Sequence, residues 1–191
     1  MGMRRTVDVL NAMEADGIID RYALAGAVAA YNYIEPAVTE DLDILVAFRQ
    51  TSGEGRANVI SLAPIFSYLK AKGFHEFRKE GIVIEGWPVQ FLPVADNLDA
   101  EALAQAADVD LTFSAQTPVR TRVLRPEHLA AIALRVGRPK DLIRITQFVQ
   151  ENALDHRVLC GVLKQHSLKM AWQAFCKQAG INDPCIEEKP R

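Results

Sequence analysis

Two aspartates separated by one residue, Asp41 and Asp43, have the type and spacing for a chemical role. On an extended strand, residues two apart point to the same face, so both carboxylates project together while Leu42 and Ile44 enter the core. Carboxylates held side by side repel each other unless a cation lies between them. Mg²⁺ is usually bound through one or two carboxylates together with the phosphates of a substrate. The pair therefore predicts a site for a nucleoside triphosphate with its metal.

A run of small residues before the pair must position the phosphates. Residues 22–25 predict a first strand that ends at Gly26, and residues 27–33 predict a helix whose N-terminus faces the site. A helix N-terminus offers free backbone N–H groups and a partial positive charge to a phosphate. Because Gly26 has no side chain, it lets that backbone approach closely. We therefore expect Gly26 and the backbone after it to cradle the phosphates.

The first two thirds of the chain alternate between helical and extended patterns. Their order predicts an α+β fold, a mixed sheet flanked by helices. The further helices are predicted at 6–16, 57–72 and 99–107, with a flexible loop at 51–55. The further strands are predicted around the aspartate pair and at 75–79, 81–85, 88–94, 110–114 and 119–124.

The composition changes at Arg125, and four amphipathic helices are predicted after it. They cover approximately residues 126–136, 140–151, 155–165 and 168–179. We expect an α/β domain at 1–124 and a C-terminal helical bundle at 125–191 that packs on it.

Length and charge are those of an ordinary soluble protein. The chain has 191 residues, a formal net charge of -2 and 49% hydrophobic residues. A generic nucleic-acid binder would usually show a basic excess, which is absent here. No apolar run approaches the length of a membrane span, so we expect a cytoplasmic protein and no membrane partner.

The cysteines and histidines form no recognisable site. Cys160, Cys176 and Cys185 are odd in number and lack the paired spacing of a zinc site, which predicts unpaired thiols rather than a disulfide framework. The four histidines are scattered, and each is predicted to be structural or exposed to solvent.

The segment 22–46 resembles the nucleotidyltransferase superfamily, in particular the bacterial AbiEii-like group that often occurs in toxin–antitoxin systems. Those proteins carry Gly-Gly or Gly-Ser at a helix start, a small residue two positions on, and Thr-x-Asp-x-Asp on the next strand. The residues that match this pattern are Gly26, Ala29, Thr39, Asp41 and Asp43.

Two positions depart from this pattern. Ala27 stands where the family has Gly or Ser, and Ala37 stands where many relatives carry Arg. The resemblance implies that Gly26, Ala27 and Thr39 contribute to binding the nucleotide.

The turn between the first two C-terminal helices carries the second part of the resemblance. Lys140 and Asp141 match that turn, whereas Ala133 replaces the usual helix Lys and Arg144 replaces a later Asp. A cation near the site would offset the phosphate charge that develops during transfer. The resemblance leaves Lys140, together with Arg138 and Arg144, to supply it.

A third acidic residue is missing from its expected place. Active members of the superfamily generally carry a further Asp or Glu on a central strand beside the first pair. The corresponding strand here is 88–93, and it carries Gln90 at that position. Gln is neutral and a poor base. Glu85, on the preceding strand, is the alternative if the register brings it to the same side.

Two hypotheses about function follow from these residues. The first is a nucleotidyltransferase that binds a nucleoside triphosphate with Mg²⁺ and transfers a nucleotidyl group to a hydroxyl of a protein, RNA or small molecule. Asp41 and Asp43 would hold the metal, Glu85 would supply the third carboxylate and Lys140 would offset phosphate charge. The second is a catalytically inactive binding or regulatory module with the same fold, such as one component of a toxin–antitoxin pair.

Overall fold

The structure, a computed structural model, describes residues 2–36, 38–48, 61–112 and 117–186. The chain divides into two compact units, Met1–Asn32 with Pro36–Leu124 and Tyr33–Glu35 with Arg125–Arg191. That the helical half packs on the sheet stays a prediction.

Several predicted features lie outside the described residues. They are the loop at 51–55, the first turn of the helix predicted from 57, Ala37, and the end of the strand predicted at 110–114.

The first unit contains four helices and seven strands among its described residues. The helices are α1 (Met3–Ala15), α2 (Gly26–Ala30), α3 (Ala63–Ala71) and α4 (Asn97–Ala104). The strands are β1 (Arg21–Leu24), β2 (Leu42–Ala47), β3 (Phe77–Arg78), β4 (Gly81–Ile84), β5 (Trp87–Pro93), β6 (Ala107–Leu111) and β7 (Val119–Val123).

The seven strands form one mixed sheet in the order β3-β4-β5-β2-β1-β7-β6. The pairs β2·β5 and β1·β7 are parallel, and the remaining neighbours are antiparallel. This arrangement confirms the predicted mixed sheet.

The centre of the sheet is buried because helices cover it. Strand β2 has lost all or nearly all solvent contact at Leu42, Ile44, Leu45 and Val46, and α2 and α4 both contact it. A strand covered in this way carries a nearly continuous apolar run, which is what the sequence shows after Asp43.

Several elements differ from their predicted extents. Helix α4 ends at Ala104 rather than at 107, and strand β3 covers only Phe77–Arg78 rather than 75–79. Strand β6 lies at Ala107–Leu111 rather than at 110–114, because Asp108 and Asp110 alternate with less exposed apolar residues. Helix α2 has only five residues, Gly26–Ala30, and does not continue to residue 33.

Two tight turns connect the strands at one edge of the sheet. Lys79 and Glu80 join β3 to β4, and Glu85 and Gly86 join β4 to β5. Lys79 and Glu85 both have positive φ angles, 55° and 52°. This backbone region is uncommon for residues other than glycine.

The second unit consists of α5 (Pro126–Val136), α6 (Pro139–Gln150), α7 (His156–Gln165) and α8 (Lys169–Ala179). Helix α5 contacts the other three. Gly137 ends α5 with a φ of 70°, and Pro139 opens α6 at a position where its missing N–H costs nothing. The helices described in either unit are all too short or too polar to cross a membrane.

The prediction of unpaired thiols is wrong for two of the three cysteines. Cys160 on α7 and Cys185 after α8 form a disulfide, with their Cα atoms 5.5 Å apart. The chain returns along α8 and brings together two residues that are 25 positions apart in sequence. The number of cysteines in a sequence does not indicate which of them the folded chain brings together. Cys176 is the free and buried thiol, as predicted.

Candidate functional site

Strand β2 positions the acidic pair. Asp41 immediately precedes the strand and Asp43 is its second residue; both are partly exposed, while Leu42 and Ile44 are fully buried. The alternation places both aspartates on the same face of the sheet. The hydroxyl of Thr39 donates to Asp41 Oδ1 at 3.2 Å and orients that carboxylate.

Gly26 lies directly against the Asp43 carboxylate. A Cβ atom on Gly26 would lie 1.9 Å from Asp43 Oδ2 and 2.8 Å from its Cγ, and the φ of Gly26 is +57°. The preceding residue, Ala25, donates its backbone N–H to the carbonyl of Asp43 at 2.8 Å. Glycine is therefore needed here for two reasons, the backbone conformation and the space taken by the carboxylate.

Helix α2 is too short to place a strong helix dipole at the site. A five-residue helix has little macrodipole, so its free N-terminal backbone N–H groups, and not a helix dipole, would have to bind a phosphate. The binding roles of Gly26 and Ala27 stay predictions, and for Gly26 the firmer observation is its closeness to Asp43.

Gln90 occupies the position beside Asp43 on the neighbouring parallel strand. The β2·β5 register pairs Asp43 with Gln90, so the two side chains project from the same face of the sheet. This confirms the predicted place of Gln90. Its side-chain amide donates to Glu80 Oε2 at 3.0 Å, so a carboxylate does lie near this position, on the β3–β4 turn.

Glu85 lies at a different level of the sheet. It precedes β5, whose first residue, Trp87, is three positions before Gln90, about 10 Å along the strand. Its carboxylate forms an ion pair with Arg5 of α1 at 3.5 Å. The register therefore does not bring Glu85 beside Asp43, and its role as a third carboxylate stays a prediction without support from this geometry.

The basic residues predicted to face the phosphates belong to the helical unit. Arg138 Nε lies 2.6 Å from the buried carboxylate of Asp141, and Arg144 lies 3.8 Å from the same carboxylate. Both arginines thus have a partner on their own helix. Lys140 is exposed in the first turn of α6, and its role toward the acidic pair stays a prediction.

Sequence reasoning missed the lysine that lies near the acidic pair in the α/β unit. Lys79 on the β3–β4 turn forms an ion pair with Glu40. The hydrogen bond and the negative charge of Glu40 raise the pKa of Lys79, and the charge of Asp41 raises it further. The same hydrogen bond lowers the pKa of Glu40. The strands predicted at 75–79 and 81–85 indicate a turn between them, but the sequence does not indicate that this turn brings Lys79 to Glu40.

The donor set of the site fits Mg²⁺ only in combination with a substrate. The described residues contain no group of three or more His, Cys, Asp or Glu side chains placed to hold a metal ion. Mg²⁺ is nevertheless commonly bound by one or two carboxylates together with substrate phosphates. Asp41 and Asp43 meet that requirement, whereas a metal cage made by the protein alone is not formed by the part of the chain described here.

Comparison with known proteins bears on the fold. No protein-family profile and no curated protein sequence matches the chain. Among solved structures, the chain is similar to an antigenic nucleotidyltransferase-like protein from Paracoccidioides brasiliensis, with a TM-score of 0.55, 14% identity, and 93% of this chain and 88% of that chain covered. It is less similar to the antibiotic-resistance factor ANT(2'')-Ia, with a TM-score of 0.41, 16% identity, and coverage of 93% and 95%. The seven-stranded mixed sheet with its flanking helices therefore has the nucleotidyltransferase-like fold.

Proposed function

We propose that this protein binds a nucleoside triphosphate with Mg²⁺ and transfers a nucleotidyl group to a hydroxyl acceptor. The observation that carries the proposal is the position of Asp43, which lies against Gly26 on one side and in register with Gln90 on the other. Together with Asp41 it places two carboxylates on one face of the sheet. The nucleotidyltransferase-like fold supports the proposal.

Each residue of the site has a role in this proposal. Asp41 and Asp43 would hold the metal, and Thr39 fixes the Asp41 carboxylate through its hydroxyl. When bound, Mg²⁺ supplies charge that stabilises the phosphates and orients the attacking and leaving oxygens. Gly26 and Ala27 would leave backbone N–H groups close to the phosphates. Lys140 of the helical unit is the further candidate for offsetting phosphate charge.

In nucleotidyl transfer the acceptor hydroxyl attacks the α-phosphorus in line with the departing pyrophosphate. A base near the hydroxyl speeds the step by accepting its proton. Gln90 occupies the place beside Asp43 where an acid would serve, and an amide does not accept that proton. We therefore propose that transfer by this chain is weak.

The alternative function is a catalytically inactive binding or regulatory module. The same observation favours it, because Gln90 leaves the acidic pair without a third carboxylate on the neighbouring strand. Because the sequence resembles the AbiEii-like group, we propose that such an inactive module would be one component of a toxin–antitoxin pair.

Isothermal titration with ATP, GTP, CTP and UTP, each with and without Mg²⁺, tests the binding site. We expect Mg²⁺-dependent binding of at least one nucleotide by the wild-type protein. The double variant Asp41→Asn/Asp43→Asn should abolish that binding while the fold stays as stable or becomes slightly more stable, because two like charges lose their repulsion.

A matched control is available on another strand. Asp108 and Asp110 on β6 have the same spacing and are exposed. The variant Asp108→Asn/Asp110→Asn should bind the nucleotide as the wild type does. Equal affinity of the Asp41/Asp43 double variant and the wild type would show that the acidic pair is not the site.

A further inference from the structure

Lys79 is held in an unusual backbone conformation at the edge of the site. It lies in the two-residue turn between β3 and β4 with a φ of 55°. Tight hairpin turns with positive φ favour Gly, Asn or Asp, because other side chains crowd the backbone there. Residues kept in sparsely populated conformations cluster at functional sites, where the surrounding structure maintains them.

The ion pair with Glu40 does not account for a lysine at this position. The side chains of Lys79 and Glu40 are 61% and 71% exposed. Solvent-exposed ion pairs of this kind contribute little to the stability of the fold, because water already solvates both charges well. A lysine that carries backbone strain and gains only an exposed ion pair has no evident structural purpose.

A cavity of about 440 Å³ opens beside Lys79. Its lining includes Arg78 and Lys79 from the turn, Thr39 and Glu40 from the segment before β2, and Trp87 from the start of β5. Thr39 also donates a hydrogen bond to the carboxylate of Asp41, so the cavity lies on the Asp41 side of the acidic pair. Two cations thus line a space next to Asp41, one of the two residues that would hold Mg²⁺.

We propose that this cavity binds the polyphosphate of the nucleoside triphosphate and that Lys79 contacts it, with Glu40 as the counter-ion that the phosphate displaces. This inference rests on the proposed function, because it names the residue that binds the substrate phosphates at that same site. An ammonium group makes strong charge-assisted hydrogen bonds to phosphate oxygens. Glu40 keeps the ammonium beside Asp41 in the absence of nucleotide and must release it on binding.

Lys79→Gly is the most informative variant. Glycine adopts the positive φ of this turn without strain, so the fold should be as stable as in the wild type or more stable. Removal of the cation should nevertheless raise the Kd for the Mg²⁺–nucleotide complex at least about tenfold, which is the loss of one hydrogen bond between a charged donor and phosphate. Lys79→Arg, which keeps the charge, should retain most of the affinity.

The variant Glu40→Gln tests whether Glu40 is the counter-ion of Lys79 or a ligand of the metal. As the counter-ion, Glu40 competes with phosphate for Lys79, so the variant should bind nucleotide a few-fold more tightly. Weaker binding would mean that Glu40 holds the metal or the substrate, and would contradict the proposal. Lys72→Gln, on a lysine that lies over the ring of Tyr68, is the control and should leave the affinity unchanged.

Titrations with tripolyphosphate and with adenosine separate this inference from the proposed function. We expect wild-type protein to bind tripolyphosphate, Lys79→Gly to lose that binding, and adenosine to bind neither protein measurably. A wild-type protein that binds nucleotide with an affinity unchanged in Lys79→Gly would overturn the inference and leave the proposed function standing. A wild type that instead binds tripolyphosphate through Lys79 but binds no nucleotide in the presence of Mg²⁺ would give a different result. That result would support the phosphate site and overturn the proposed function.

Discussion

The contact between Gly26 and Asp43 makes the position of a candidate metal ligand depend on the backbone conformation of Gly26. The missing side chain of Gly26 leaves room for the Asp43 carboxylate, and the Ala25 N–H fixes the carbonyl of Asp43 at 2.8 Å. The glycine and the carboxylate are thereby part of one local structure. A side chain on Gly26 would clash with the Asp43 carboxylate and so would disturb the candidate metal site.

Gly26→Ala should displace the Asp43 carboxylate and abolish Mg²⁺-dependent nucleotide binding. The added Cβ would lie 1.9 Å from Asp43 Oδ2. Alanine at positive φ also costs about 1–2 kcal/mol of stability. Calorimetric titration measures the first effect and chemical denaturation the second.

Gly17→Ala is the matched control for this variant. Gly17 has a φ of +71° and no atom within 4 Å of the position of an added Cβ. It should lose a similar amount of stability and keep its affinity for nucleotide. Retained binding in Gly26→Ala would contradict the importance of the Gly26–Asp43 contact.

The acidic pair shows what residue spacing alone can predict. Asp41-Leu42-Asp43 was singled out by its spacing together with Gly26 and Thr39, but Asp108 and Asp110 have the same spacing on the edge strand β6. The difference lies in long-range contacts, because only the first pair adjoins a glycine that leaves room for a carboxylate and a parallel neighbour at Gln90. Such contacts are absent from local sequence patterns.

At the scale of elements, local patterns predicted the type and order of the helices and strands well. Periodicity is a local property, and most described elements overlap their predicted ranges, whereas the bounds of α2, α4, β3 and β6 differ from the prediction. The tight hairpin at Lys79 was less predictable in its consequences, because it brings a lysine toward Glu40, a residue 39 positions earlier in the sequence. Strand register and hairpin geometry, which decide these contacts, depend on pairing between distant segments.

The disulfide between Cys160 and Cys185 also depends on distant segments. It joins α7 to the segment after α8 and encloses a span of 25 residues. Closing a loop of this size removes entropy from the unfolded chain and contributes about 3–4 kcal/mol in the chain-entropy description. Disulfides persist in oxidising compartments, so the predicted cytoplasmic location stays a prediction that this bond does not favour.

Reduction should destabilise the helical unit without exposing the third thiol. Cys176 is buried, and burial together with the charge of Asp183 raises the pKa of its thiol to about 11. The thiol therefore stays protonated and unreactive at neutral pH. Iodoacetamide should modify no cysteine in the native protein and two cysteines after reduction with dithiothreitol. It should modify all three only when the reduced protein is also unfolded.

The double variant Cys160→Ser/Cys185→Ser is the control for the loss of stability. Its melting temperature should equal that of the reduced wild type and should not respond to dithiothreitol. Modification of Cys160 or Cys185 without reductant would contradict the disulfide.

At the scale of the whole molecule, few residues separate the two candidate functions. The nucleotidyltransferase-like fold is shared by both, and so are Asp41 and Asp43. Three departures from the family pattern favour the binding module, namely Ala27, Ala133 and Gln90 beside Asp43, and Gln90 is the one that the structure pairs with the acidic pair. Fold alone therefore does not decide the activity.

Gln90→Asp should add a third carboxylate beside Asp43. Without Mg²⁺ the added charge repels Asp43 and Glu80, so the melting temperature should fall. In a chain of this size, each kcal/mol of unfolding free energy that is lost lowers the melting temperature by about 2–4 °C. Mg²⁺ should restore it. Gln105→Asp is the control, because Gln105 donates to Glu101 at 3.2 Å in the same way that Gln90 donates to Glu80. Its melting temperature should not depend on Mg²⁺.

The same variant tests the activity. Wild-type protein should transfer label from an α-labelled nucleoside triphosphate to an acceptor slowly or not at all, because an amide accepts no proton from the attacking hydroxyl. A base at this position contributes on the order of 10²–10⁴-fold in rate, so Gln90→Asp should label the acceptor faster by an amount within that range. Rapid labelling by the wild type that Gln90→Asp leaves unchanged would contradict the importance of this position. In that case Glu85→Gln would test whether the third carboxylate comes from the β4–β5 turn.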